Sequence, residues 1–156
     1  MRHAYGFFCD DIRAEVGNKI SLMGLYTGEM HISRQETPGG LPWGIPKLCV
    51  AAYMDVPVNE PIRSLQLTLK RGDETLQDIV VPPAEIQQII AAAVAKNDPD
   101  DPIRVVVINM NVVLAPYMIE KNHVLDMLVI ADGVTYRAAK LRVKITDPAS
   151  TASSGA

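Results

Sequence analysis

The chain has 156 residues, 48% hydrophobic and 21% charged, and a formal net charge of -3. That length suits one domain that buries about two thirds of its unfolded surface, and the composition excludes intrinsic disorder. The acidic balance offers no electrostatic footprint for nucleic acid, and no run reaches the roughly 18 apolar residues of a membrane helix, so neither partner is expected.

The opening MRHAYGFFCDDIR has two Asp and little aliphatic character, unlike a secretory signal. A cytoplasmic location is therefore expected, with Cys9 and Cys49 as buried, reduced thiols; a disulfide requires two strands to place them side by side.

Period-two alternation dominates the chain. A first strand is predicted over Ala4 to Cys9, then a turn region from Asp10 to Asn18. Apolar residues at Ile20, Leu22, Tyr26, Met30 and Ile32 continue the alternation, with a bend expected at Gly24 and Gly28. The Gly- and Pro-rich stretch from Thr37 to Pro46, holding Trp43, reads as irregular loop.

Lys47 to Val56 reads as a buried strand. Leu65, Leu67 and Leu69 alternate with Gln66, Thr68 and Lys70, and Arg71 to Glu74 turn the chain into a hairpin. After Pro82 and Pro83, apolar residues fall at Ile86, Ile89, Ile90, Ala93 and Val94, the spacing of one helical face, so a short helix is predicted over about 83–96.

Three long strands follow. Arg104 to Leu114 buries its even positions; Val124 to Ala131 turns at Asp132-Gly133 into Val134 to Ile145. In the last strand the apolar parity switches, which predicts a bulge near Ala138-Ala139. The expected fold is mainly β: an antiparallel two-layer sandwich of about seven to nine strands with one helix. The domain is expected to span residues 1–146, with a flexible tail over 147–156.

Candidate site residues are few. Asp10, Asp11 and Arg13 are read as turn formers, and alternatively as the centre of a calcium or small-ligand site, or of an enzyme. Convergence of Asp10 and Asp11 with Asp98, Asp100 and Asp101 would complete such a site; otherwise the latter form a solvated loop that ends the helix. His3, His31 and His123 show no metal-ligand spacing, and no nucleophile elbow, P-loop or dinucleotide fingerprint is present. Lys140, Arg142 and Lys144 form a row on one strand face, read as a solvated surface. Trp43 is either an exposed recognition tip or a cap folded over the open end of the sandwich. Asn109 and Asn111 suggest that the odd face of their strand reaches water or another subunit.

The stretch from Phe7 to Met30, with its aromatic-Cys-Asp-Asp-Ile-Arg opening and Gly17-x-Lys19-x-Ser21-Leu22-x-Gly24-x-Tyr26 segment, is joined by Ile45-Pro46-Lys47-Leu48. Together these resemble a family of small bacterial and phage-associated proteins of unknown function. The resemblance covers roughly the first third of the chain and, more loosely, the final basic strand. It implies a β-sandwich and no particular activity. No catalytic constellation or cofactor motif emerges, so the expectation is a non-enzymatic binding or assembly module with no cofactor. It would act on a protein partner or by self-association, through Asp10, Asp11, Arg13 or Trp43, a sheet edge or the helix.

Overall fold

Alternating apolar residues become a sandwich when each strand turns one side chain in two toward a shared interior. The computed structural model describes residues 1–37 and 39–147. Among the described residues the chain runs β1 (His3–Glu15), β2 (Lys19–Leu25), β3 (Glu29–Ser33), a 3-10 turn (Arg34–Glu36), β4 (Trp43–Ile45) and β5 (Leu48–Pro57). It continues with β6 (Leu65–Arg71), β7 (Glu74–Val81), α1 (Pro83–Val94), β8 (Val105–Leu114), β9 (Tyr117–Ile119), β10 (His123–Ala131) and β11 (Val134–Thr146).

One sheet has the order β2-β1-β5-β8 and the other β3-β11-β10-β6-β7, while β4 and β9 form a small separate ladder. The expected sandwich is therefore present. Pairing is antiparallel except between β11 and β3, which run parallel. The segment read as one bent strand divides between the two sheets, β2 in the first and β3 in the second, with Gly28 at positive φ in the crossing.

The core lies between the sheets. Phe8, Val50, Met54, Ile108 and Met110 from the first sheet meet Leu67, Leu69, Leu125, Met127 and Leu141 from the second. Each such side chain contributes about 1.5–3 kcal/mol on burial. Gly6 lies where the packing leaves no room for a side chain: a Cβ there would sit 2.8 Å from the Ala51 carbonyl oxygen and 2.3 Å from the Met127 sulfur.

Helix α1 begins with Pro83 in its first turn and buries Ile86, with Ile89 and Ile90 partly covered, as its spacing predicts. Asp132 and Gly133 both take positive φ in the β10–β11 turn. The parity switch in β11 is a bulge: Met127 faces Ala139 and Leu128 faces Arg137, so Ala138 is the extra residue.

Two expectations are corrected. Residues Asp10 to Glu15 are strand, and the turn is confined to Val16, Gly17 and Asn18; cross-strand pairing to Met23, Leu22, Ser21 and Ile20 outweighs the turn preference of Asp and Asn. The Trp43 loop contains a short strand, because Trp43, Gly44 and Ile45 pair with Ile119, Met118 and Tyr117. Asp147, the first residue assigned to the tail, pairs with Arg34 at 2.7 Å, both side chains exposed; the rest of the tail expected over 147–156 lies outside the described residues.

Candidate interaction surface

Strand alternation sends Asp10 and Asp11 to opposite faces of the first sheet. Asp10 accepts a hydrogen bond from the Tyr26 hydroxyl at 2.6 Å, and its carboxylate packs over Gly24, where a Cβ would come within 2.2 Å of Oδ2. Burial and the Asp10 carboxylate push the Tyr26 phenol well above its ordinary range. Asp11 lies on the outer face with Arg13 at 2.8 Å and the Lys47 ammonium also bonded to it. Those two cations hold the Asp11 carboxyl down at about 2. Each carboxylate is satisfied separately, and the two do not share a ligand site.

Nor do Asp98, Asp100 and Asp101 join them. Cys9 faces Cys49 at one end of β5, whereas Pro57 at the other end faces Val105, the residue that follows the Asp98–Asp101 loop and its short lead-in. Eight residue steps separate Cys49 from Pro57, roughly 27 Å at 3.4 Å each. The Asp98 carboxylate instead accepts from the Asp100 N–H at 2.9 Å, the local turn expected of a helix-ending loop. Among the described residues no group of three His, Cys, Asp or Glu side chains lies close enough to hold a metal ion. Trp43 is half-buried and packs against the core.

Cys9 and Cys49 stand directly opposite each other on the outer face, fully buried and both free thiols. The strands thus do place them side by side. Burial, together with the neighbouring thiol, pushes Cys9 up to about 11, and burial raises Cys49 as well.

The two outer faces of the sandwich differ in chemistry. On the second sheet, Lys144 pairs with Glu29 at 2.8 Å and Arg137 with Asp126 at 3.2 Å. Thr68 and Gln66 donate to Asp78. The row of Lys140, Arg142 and Lys144 is thus interleaved with acids, Lys140 facing Asp126 across the ladder. Exposed Val80 and half-buried Leu128 and Ile130 sit among these polar groups.

The first sheet presents a different outer face. Alternation brings His3, Tyr5 and Phe7 of β1 to the same side as Tyr53 of β5. Tyr5 stacks on Tyr53 with centroids 5.1 Å apart, His3 stacks on Tyr5 at 5.6 Å, and Phe7 meets Tyr53 edge-on at 6.3 Å. Around this cluster lie Met23, Leu25, Val107 and Val113, each 45% exposed or more. Asn109 and Asn111 face Tyr53 and Ala51 on the β8 side. Beyond Cys9, β1 pairs only with β2, so residues 10–25 extend as a two-stranded arm with Val16 at its exposed tip. Two-stranded ribbons are marginal alone, so an arm of this kind is steadied by whatever it contacts.

A cleft of about 640 Å³ lies beside the β6–β7 turn and the start of β10, lined by residues that include Arg71, Glu74, Lys121 and His123. The His123 Nδ1–H donates to the Lys121 carbonyl at 2.7 Å, which leaves Nε2 to accept from the Tyr117 hydroxyl at 2.5 Å. Burial lowers the His123 pKa. Arg71 is committed to Glu74 at 2.8 Å and to the Met118 carbonyl. This network joins β9 to β10 and was not legible from spacing, since His123 stands in the sequence among Asn122 and Val124 with no partner in view.

No family model matches the chain, and neither does any curated protein.

Proposed function

We propose that the chain is a non-enzymatic binding or assembly module that acts through protein–protein contacts on the outer face of the β2-β1-β5-β8 sheet. One observation carries this reading: the aromatic stack of His3, Tyr5, Tyr53 and Phe7 is flanked by exposed Met23, Leu25, Val107 and Val113, while the opposite outer face is laced with ion pairs. Exposed apolar side chains clustered around an aromatic stack mark interaction sites, and aromatic and Met residues are the types enriched in interface centres. The charges at its border, Asp11, Arg13, Lys47 and Asp55, are of both signs, which suits a protein surface better than a phosphate backbone.

The test is site-specific photo-cross-linking in intact cells. A photoreactive side chain is placed at Phe7 or, as control, at Lys140 on the other sheet. The reading expects adducts of defined mass from the Phe7 position and few from Lys140. Equal adduct yields from both positions would contradict it.

A further inference from the structure

The strand β8 is an edge of the first sheet, and its sequence, Val105 to Leu114, carries no charge, no Gly and no Pro across ten residues. The other edges among the described residues are blunted: β2 has Lys19 and a Gly24 at positive φ, β3 is five residues long with Glu29 and His31, and β7 carries Glu74 and Asp78. Unpaired strand edges invite pairing with another chain, and charges, short length and irregular backbone are the usual protections against it. β8 has none of the three.

Its backbone groups face outward in a defined set. The Val58 N–H donates to the Arg104 carbonyl at 2.9 Å, so Arg104 directs its backbone toward β5. Antiparallel alternation then directs Val106, Ile108, Met110 and Val112 toward β5 and leaves Val107, Asn109, Asn111 and Val113 directing their N–H and C=O groups to the free edge. Among the described residues no strand other than β5 pairs with β8.

The sequence around this edge is self-complementary. About Met110, Asn109 mirrors Asn111, Ile108 mirrors Val112, Val107 mirrors Val113 and Val106 mirrors Leu114. Two copies placed antiparallel with Met110 on the two-fold axis therefore match like with like: Val107 faces Val113 of the second copy, and Asn109 faces its Asn111. The outward backbone groups fall opposite one another in this register and form about eight hydrogen bonds. The neighbouring helix α1 is equally free of charge beyond its first turn, with Gln87, Gln88, Ala91 and Ala92 exposed.

We infer that β8 is an isologous dimer interface, in which a second copy of this chain adds its own β8 and fuses the two four-stranded sheets into one of eight. This rests on the proposed function and deepens it: the outer faces of both copies become one continuous two-fold surface carrying two aromatic stacks. The Asn109 and Asn111 amides then lie at its centre, where Asn109 of each copy faces Asn111 of the other across the axis.

The register makes the test specific. Val107 and Val113 are 50% and 55% exposed on the outer face, so polar substitutions there leave the folded chain intact, as circular dichroism checks. Sedimentation velocity at micromolar concentrations is expected to show a dimer for the unaltered chain. In Val107→Lys/Val113→Lys, two introduced lysines meet at each symmetric position, and the dimer weakens at least about tenfold, since like charges directly opposite are unfavourable. In Val107→Lys/Val113→Glu, each introduced lysine meets an introduced glutamate, and the dimer returns. A monomeric unaltered chain, or two double variants that dimerise equally, would overturn the inference. The proposed function would survive that result if cross-linking from Phe7 still yielded adducts with other proteins, and would fall with it if Phe7 and Lys140 reacted alike.

Discussion

Tyr5 and Tyr53 face each other across β1 and β5, with ring centroids 5.1 Å apart and planes 10° from parallel, on the side of the sheet away from the core. A stack on an outer face adds to stability without filling the interior. A double-mutant cycle with Tyr5→Ala and Tyr53→Ala, read by urea unfolding, is expected to give a coupling of about 0.5–1.5 kcal/mol. A coupling near zero would mean that the stack contributes nothing to the folded chain.

Gly6 is expected to tolerate no side chain. Gly6→Ala places a methyl against the Ala51 carbonyl oxygen and the Met127 thioether. The thioether can swing away, but the carbonyl is held in the β1–β5 ladder. The expected loss is about 1–3 kcal/mol, the usual range for overpacking. Urea unfolding of the variant measures it directly.

The His123 network makes stability depend on pH. Burial lowers the folded-state pKa of His123, so the unfolded chain binds the proton more readily. Stability therefore falls as pH drops through the unfolded value near 6.5, down to the depressed folded value, and is restored as pH rises again. Thermal unfolding between pH 5 and 7.5 is expected to show this slope. It should be shallower in His123→Gln, which keeps a polar side chain near Tyr117 but does not titrate.

Cys9 and Cys49 are expected to react slowly with a thiol reagent at pH 8 while the chain is folded. Cys9 stands at about 11, so only about one thiol in a thousand is ionised, and both sulfurs are buried. Denaturation should release both to ordinary reactivity. Rapid labelling of the folded chain would show that the outer face opens at the Cys9–Cys49 rung.

Much of the fold was legible from local pattern. The alternation of Leu65, Leu67 and Leu69, the helical spacing from Ile86 to Val94 and the parity switch at Ala138 each report a side chain's face, and each face is set by a few neighbours in sequence. The β1 extension is not legible in local sequence because Asp10 and Asp11 favour turns individually, while what holds them in a strand is pairing with β2. The apolar outer face of the first sheet was only half visible. His3, Tyr5 and Phe7 alternate, which points them to one side, but their meeting with Tyr53 depends on β5 lying beside β1, a fact of topology. Asp10 and Asp11 attracted attention as a pair, yet adjacent strand residues face apart.

The most direct test compares two methionines. Met23 is 45% exposed on the outer face of the first sheet, and Met118 is 40% exposed on β9, away from it. In the isolated chain at high dilution the two should oxidise at similar rates with peroxide. In intact cells the account predicts that Met23 is protected several-fold relative to Met118, because a protein covers its face. Equal oxidation of Met23 and Met118 in cells would contradict the assignment of that face as an interface.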